Sequence, residues 1–316
     1  MFIAALVLLG VAPSAQAQWP DRPVRIIVPF VPGGSSDILA RLVGAGLQQR
    51  LGQPVIVDNR GGANGLLGMG AAAQAPADGY TLVIGHIGTH AISPLIVATP
   101  SFETVRDFTT VALLARASSV LVVPPSSAVT DVPSLVQRAR TAPQRLSYGS
   151  PGVGSPSHVA VVLMGRLAGF EAEHVPYRGN GAALTDLMNG TLDFMFAGPA
   201  EVAEPVQAGR LRAIATSGAQ RAATSPQLPT VGEAGVSGFE ISVWHVLSAR
   251  ASTPAPIVAR LRTETAAVLA SDAIRERLQT LGLEPGGMDA AATDAFIAAE
   301  IAKWRRLVQE ARIQAD

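Results

Sequence analysis

Val28-Pro29-Phe30-Val31-Pro32-Gly33-Gly34-Ser35-Ser36-Asp37-Ile38-Leu39-Ala40-Arg41 joins two segments of different periodicity. Before it, Val24-Arg25-Ile26-Ile27-Val28 is β-branched and apolar, the composition of a buried strand. After it, Ile38 to Leu51 is rich in Leu, Ala and Val and stops at Gly52, which reads as a helix with its terminator. Gly33 and Gly34 permit a tight turn with backbone N–H groups exposed. Ser35 or Ser36 can cap the helix, and Asp37 then falls in the first turn, where the helix dipole favours a carboxylate. Strand, Gly-Ser loop and helix N-terminus together suit an anion such as a carboxylate or phosphate. The same order also serves an ordinary βα turn with a capped helix.

Outward from this stretch, strand and helix signals alternate. That predicts an α/β fold with mostly parallel sheets covered by helices and ligand crevices at the carboxyl ends of strands. Val111 to Val123 reads as one long apolar run ended by Pro124-Pro125, residues 217–239 as a connection, and about 255–281 and 289–312 as two closing helical stretches. Residues 146–168 repeat the order of residues 24–51. Their loop is Tyr148-Gly149-Ser150-Pro151-Gly152-Val153-Gly154-Ser155-Pro156-Ser157-His158, in which Ser150 and Ser155 offer hydroxyls and the glycines expose N–H groups. His158 falls in the first helical turn, where an imidazolium is disfavoured. It therefore reads as neutral, more a packed, hydrogen-bonded histidine than a ligand contact. Val175-Pro176-Tyr177-Arg178-Gly179 is a strand end and turn, with Asn180 as the expected helix cap.

These motifs resemble those of the substrate-binding proteins of tripartite tricarboxylate transporters, the Bug receptors. The resemblance is carried by Phe30, Pro32, Gly33, Gly34, Asp37, Ala40 and Arg41, by the Tyr148–His158 loop and by Val175–Gly179. Asp78-Gly79-Tyr80-Thr81-Leu82, Leu187–Asp193, Leu228–Glu233 and Trp244 add to it in order. It implies a type II periplasmic-binding-protein-like fold: two α/β lobes around a ligand cleft, with hinge closure. Lobe 1 would be 20–121 plus 246–316 and lobe 2 122–245, with crossings near Val120–Pro124 and Ser242–Ser248. It further implies a monomeric periplasmic receptor without cofactor that captures a small organic carboxylate for the membrane subunits of the transporter. The expected ligand contacts are Phe30, Gly33, Gly34, Ser35, Ser36, Asp37, Gly88, Thr89, Ser150, Gly154, Ser155, His158, Tyr177, Gly179, Asn180 and Ala197. Arg178 could pair with a carboxylate but ranks below its backbone neighbours. One rival is a periplasmic sensor that presents the liganded form to a signalling partner. Another is a secreted hydrolase using Ser150 or Ser155 with His158, which lacks an acidic residue placed to orient the histidine.

Composition narrows the classes further. The 316 residues are enough for two medium domains or one large one. With 48% hydrophobic and 15% charged residues a sizeable core forms and disorder is not expected. Twenty-four basic residues balance 24 acidic ones, which argues against nucleic acid as a partner and gives no polybasic membrane patch. Residues 1–17 read as a secretory signal, with Phe2–Val11 as the apolar region and Ala15-Gln16-Ala17 as the cleavage site before Gln18, although no positive residue precedes the apolar region. The chain has no cysteine, hence no disulfide scaffold and no thiolate chemistry. Nucleophile-elbow, phosphate-loop and zinc-protease motifs do not occur. His86 and His90 lack a third ligand nearby in the sequence, so zinc is not expected.

Overall fold

The computed structural model describes residues 19–315. The predicted signal, residues 1–17, lies outside them. β1 (Val24–Val28) leads into α1 (Ser35–Leu51), followed by β2 (Val55–Asn59), a 3-10 turn at Ala63–Gly65 and α2 (Leu66–Ala73). β3 (Thr81–His86) runs into a π turn, Gly88–Ile92, then the single-turn helices α3 (Ser93–Ile96) and α4 (Thr104–Asp107). Next come β4 (Phe108–Ser118), β5 (Val120–Val123), α5 (Val132–Thr141), β6 (Ser147–Ser150), α6 (Pro156–Ala168) and β7 (Glu173–Pro176). α7 (Asn180–Met188), β8 (Met195–Ala197), α8 (Pro199–Gln207) and β9 (Arg212–Thr216) follow. β10 (Ser242–Arg250), α9 (Ala255–Leu269), α10 (Asp272–Thr280), β11 (Glu284–Pro285) and α11 (Ala290–Ala311) complete the order.

Six strands form one sheet in the order β11-β4-β10-β3-β1-β2. β8-β5-β9 form a second, and β6-β7 a third that touches the second through a Tyr148–Phe194 bridge. The expectation of mostly parallel sheets needs correction. β1 pairs in parallel with β2 and β3, and β6 with β7, but β10 is antiparallel to both β3 and β4, and β5 is antiparallel to β8 and β9. The cause is connectivity: β10 enters the middle of the first sheet from the other sheets, not through a βαβ crossover.

The apolar run from Val111 to Val123 is likewise two strands in two sheets. It breaks at Ser119, where Ser119 N donates to Ser217 Oγ (2.8 Å) and Ser217 N to Ser119 O (2.9 Å). The Ser217 hydroxyl donates in turn to Ile241 O (2.7 Å), and Ile241 N to Ser217 O (2.9 Å). The two passages of chain between the first sheet and the others, one at Ser119 and one running from Ser217 to Ile241, thus meet at one fully buried serine, Ser217. The stretch 255–281 is two helices, because the N–H and the hydroxyl of Ser271 both turn back to Val268 O and a new helix starts at Asp272.

One apolar cluster runs through Ile92, Leu113, Leu121, Met164, Phe196, Trp244 and Trp304, so the first sheet and the others share core. Trp244 and Trp304 both donate through Nε1 to Glu300 Oε2 (3.0 and 3.1 Å), tying α11 to β10. Among the described residues no helix is long and apolar enough to cross a membrane.

Candidate functional site

The first loop is organised from below by Asp37. Its carboxylate accepts from Gly33 N (3.0 Å), Arg41 Nε (3.1 Å) and Asn59 Nδ2 (3.0 Å), and Asn59 also donates to Phe30 O (3.1 Å). Burial alone would raise this carboxyl, but Arg41, the Gly33 N–H and Asn59 together hold it below the usual range. Gly33 takes φ +93°, a conformation that suits glycine, and this turns its N–H back onto Asp37. The helix cap is Gly34, not Ser35 or Ser36, and no side chain caps the end. Ile38 N is the first to close onto Gly34 O (3.0 Å), which leaves the N–H groups of Ser35, Ser36 and Asp37 as the open first turn.

Rings stand beside that turn. Phe30 stacks on His86 with centroids 4.6 Å apart, and His86 meets His245 edge-on at 5.9 Å. His245 Nε2 lies 3.1 Å from Ser35 Oγ, while its Nδ1 is buried without a partner. A buried bare acceptor costs less than an orphaned N–H. His245 therefore carries its proton on Nε2 and donates to Ser35, leaving the exposed Ser35 hydroxyl hydrogen free. His86 Nδ1 accepts from Gly88 N (2.8 Å), so its proton sits on Nε2. Burial lowers His86 to about 4 and His245 to about 3, so both are neutral near pH 7. Gly88 and Thr89 lie beneath His86: the Thr89 hydroxyl bonds His86 N and O and lies 3.2 Å from His90 Nδ1, and a side chain at Gly88 would strike the His86 ring.

The second loop is finished differently. Ser150 is fully buried, its hydroxyl accepting from Gly152 N (3.1 Å), donating to Gly152 O (3.0 Å) and lying 2.6 Å from His174 Nε2. Ser155 is the N-cap of α6 and accepts from His158 N (3.3 Å); Pro156 has no N–H to offer, and Gly154 N goes to His158 Nδ1 (3.3 Å). Gly154 has φ +77°, and a Cβ there would overlap Ile96. Tyr177 N reaches Ser150 O (2.8 Å) and its hydroxyl donates to Asp186 (2.6 Å); burial, with Asp186 second, pushes that phenol up to about 12. The cap of α7 is Gly179 rather than Asn180, and no side chain closes that end. Asn180 Nδ2 instead donates to Glu201 Oε2 (2.7 Å), which also accepts from Gly198 N (2.8 Å), just after Ala197 ends β8; Asn180 Oδ1 is buried without a partner.

The structure thus gathers Phe30, Gly33, Gly34 and Ser35 around His86 and His245, and Ser150, Gly154, Ser155 and Tyr177 around the second loop. Asn64 Nδ2 joins the two groups through Val153 O (2.8 Å). His158, tied to the second loop through Gly154 and Ser155, also lines with Tyr148 and His174 a groove of about 1120 Å³ bounded by α6 and the end of α11, in which none of Phe30, Ser35, Ser155 and Asn180 takes part. His86, His245, Asn59, Asn64 and Glu201 were not among the expected ligand contacts. His245 has no local signal, since its partner Ser35 is 210 positions away. Among the described residues no three metal-binding side chains stand together.

Residues 39–313 match the family described as tripartite tricarboxylate transporter family receptor. The chain belongs to that family. Protein BugT of Bordetella pertussis is 32% identical over 95% of this chain and 92% of its own. Among solved structures, Rpa4515 of R. palustris with adipate shares 38% identity at a TM-score of 0.85, covering 94% of this chain and 99% of the other. MatC of Rhodopseudomonas palustris with bound malate shares 31% identity at a TM-score of 0.82, covering 92% and 100%. The fold is that of these receptors. Family members and structural neighbours are binding receptors, not enzymes, and receptors of this family are periplasmic. This removes the hydrolase as a rival.

Proposed function

We propose that this receptor is exported with loss of residues 1–17 and captures a small organic carboxylate for the membrane subunits of a tripartite transporter. The observation that carries this reading is the open first turn of α1, where three backbone N–H groups, the Ser35 hydroxyl and the neutral His86 lie together. Solved relatives that hold adipate and malate support the ligand class. The lobes are 20–121 plus 246–316 and 122–245, and they turn about the strand passages at Ser119, Ser217 and Ile241. Gly33, Gly34, Ser35 and Ser36 face the ligand from one lobe, and Gly179 and Asn180 from the other. Asp37, Gly88, Thr89 and Ser150 support these loops from beneath.

In this scheme the carboxylate is held by neutral donors. Each hydrogen bond to a charged group contributes roughly 1.5–3 kcal/mol, so several reach micromolar affinity, about −8 kcal/mol. Titration calorimetry against a panel of mono-, di- and tricarboxylates tests the scheme. Ser35→Ala should weaken the tightest ligand by about tenfold or more. Binding that survives Ser35→Ala unchanged and vanishes in Arg178→Ala would refute it.

A further inference from the structure

The groove beside α6 holds polar groups that the carboxylate site does not use. Tyr148 is 2% exposed, and its hydroxyl has no hydrogen-bond partner among the described residues. His158 is 7% exposed; because its Nδ1 accepts from Gly154 N, its proton is on Nε2, which also has no partner among them. The rings lie together over His174, with centroids 5.0 Å apart for Tyr148–His174 and 4.3 Å for His158–His174. Burial lowers His158 to about 3 and pushes the Tyr148 hydroxyl up, so both remain neutral donors over the working pH range.

The walls carry unequal charge. Arg145 is paired with Glu171 and Arg166 with Glu310. Arg140 gives its N–H groups to the carbonyl of Ala168, and neither it nor Arg312 has a carboxylate partner among the described residues. Val162 and Ile313 add apolar surface to the same groove. Two donors that bond no other described group, two guanidinium groups without a carboxylate partner among the described residues and an apolar flank are the complement of an anion with a hydrophobic body.

We propose that this groove is a second ligand site, which takes a small organic acid with its carboxylate on Tyr148 Oη and His158 Nε2 and its apolar body against Val162 and Ile313. Arg140 and Arg312 favour the anion by their charge. The site is independent of the α1 turn. Because Arg312 and Ile313 follow α11 while Tyr148 and His158 belong to β6 and α6, an occupant bridges the two parts of the chain.

The test is imidazole NMR on 15N-labelled full-length protein, with benzoate as the probe and inorganic phosphate as the comparison. Benzoate should shift the His158 and His174 ring signals saturably. Tyr148→Phe and Arg312→Ala should each weaken that response by about tenfold, with thermal melting unchanged because neither group has a partner to lose. Ser35→Ala should leave it unaltered, which separates this site from the proposed transport ligand. Absence of a His158 response, an equal response in Tyr148→Phe, loss of the response in Ser35→Ala, or phosphate binding as tightly as benzoate would each overturn the assignment.

Discussion

Residues 24–51 and 147–168 repeat one order of strand, Gly/Ser loop and helix, yet they keep different groups free. In the first, a carboxylate inside the helix holds the loop by Gly33 N, so the helix end and the Ser35 hydroxyl stay open. In the second, the loop is held by its own hydroxyls and by His158, and Pro156 removes one more donor. Where the anchor comes from outside the loop, loop groups remain available for a ligand. Where the loop anchors itself, they become structure.

The widest break in this comparison is Asp37→Ala. It leaves Arg41, Asn59 and the Gly33 N–H without their acceptor and should destabilise the protein by about 3 kcal/mol in chemical denaturation. The carboxyl is held below its ordinary value, so its contribution is complete above the unfolded aspartate pKa and is lost as pH falls through the lowered folded value. Wild type should therefore lose stability along an acid limb that Asp37→Asn largely lacks. An identical limb in both proteins would assign the acid sensitivity elsewhere.

Ser150→Ala strips half-buried His174 Nε2 and Gly152 of a partner and should cost roughly 1–3 kcal/mol. Ser35→Ala, at an exposed hydroxyl, should leave the denaturation midpoint nearly unchanged. Equal losses would erase the contrast between the loops. Ser155→Ala sharpens it: removal of the cap on His158 N should cost about 1 kcal/mol. The smallest effect belongs to Arg178→Ala, at an exposed side chain, with stability expected to stay within about 0.5 kcal/mol of wild type by thermal melting.

The strand and helix of each unit were legible because β-branched runs, Leu-Ala-Val runs and Gly52 are local signals. The loop chemistry was legible only as composition. Ser35, Ser150 and Ser155 look alike in the sequence, and what separates them is which distant group meets each: His245, His174 or the neighbouring His158 N–H. Asp37 was read as a dipole-favoured or ligand-facing carboxylate, and its saturation depends on Asn59, which a strand brings alongside. The antiparallel entry of β10 had no local signal, because pairing order is a property of the chain path and not of the strand's own residues.

That path sets an order of events for a chain leaving the ribosome. β10 lies between β3 and β4, so the first sheet stays split until residues 242–250 have emerged. Until then the apolar edge of β4 has no neighbour on that side, a state prone to pairing with other chains. The unit from 120 to 216 has its strands complete earlier. The part of the molecule synthesised first is thus the last to finish folding, and truncations anywhere before residue 250 should yield aggregating chains.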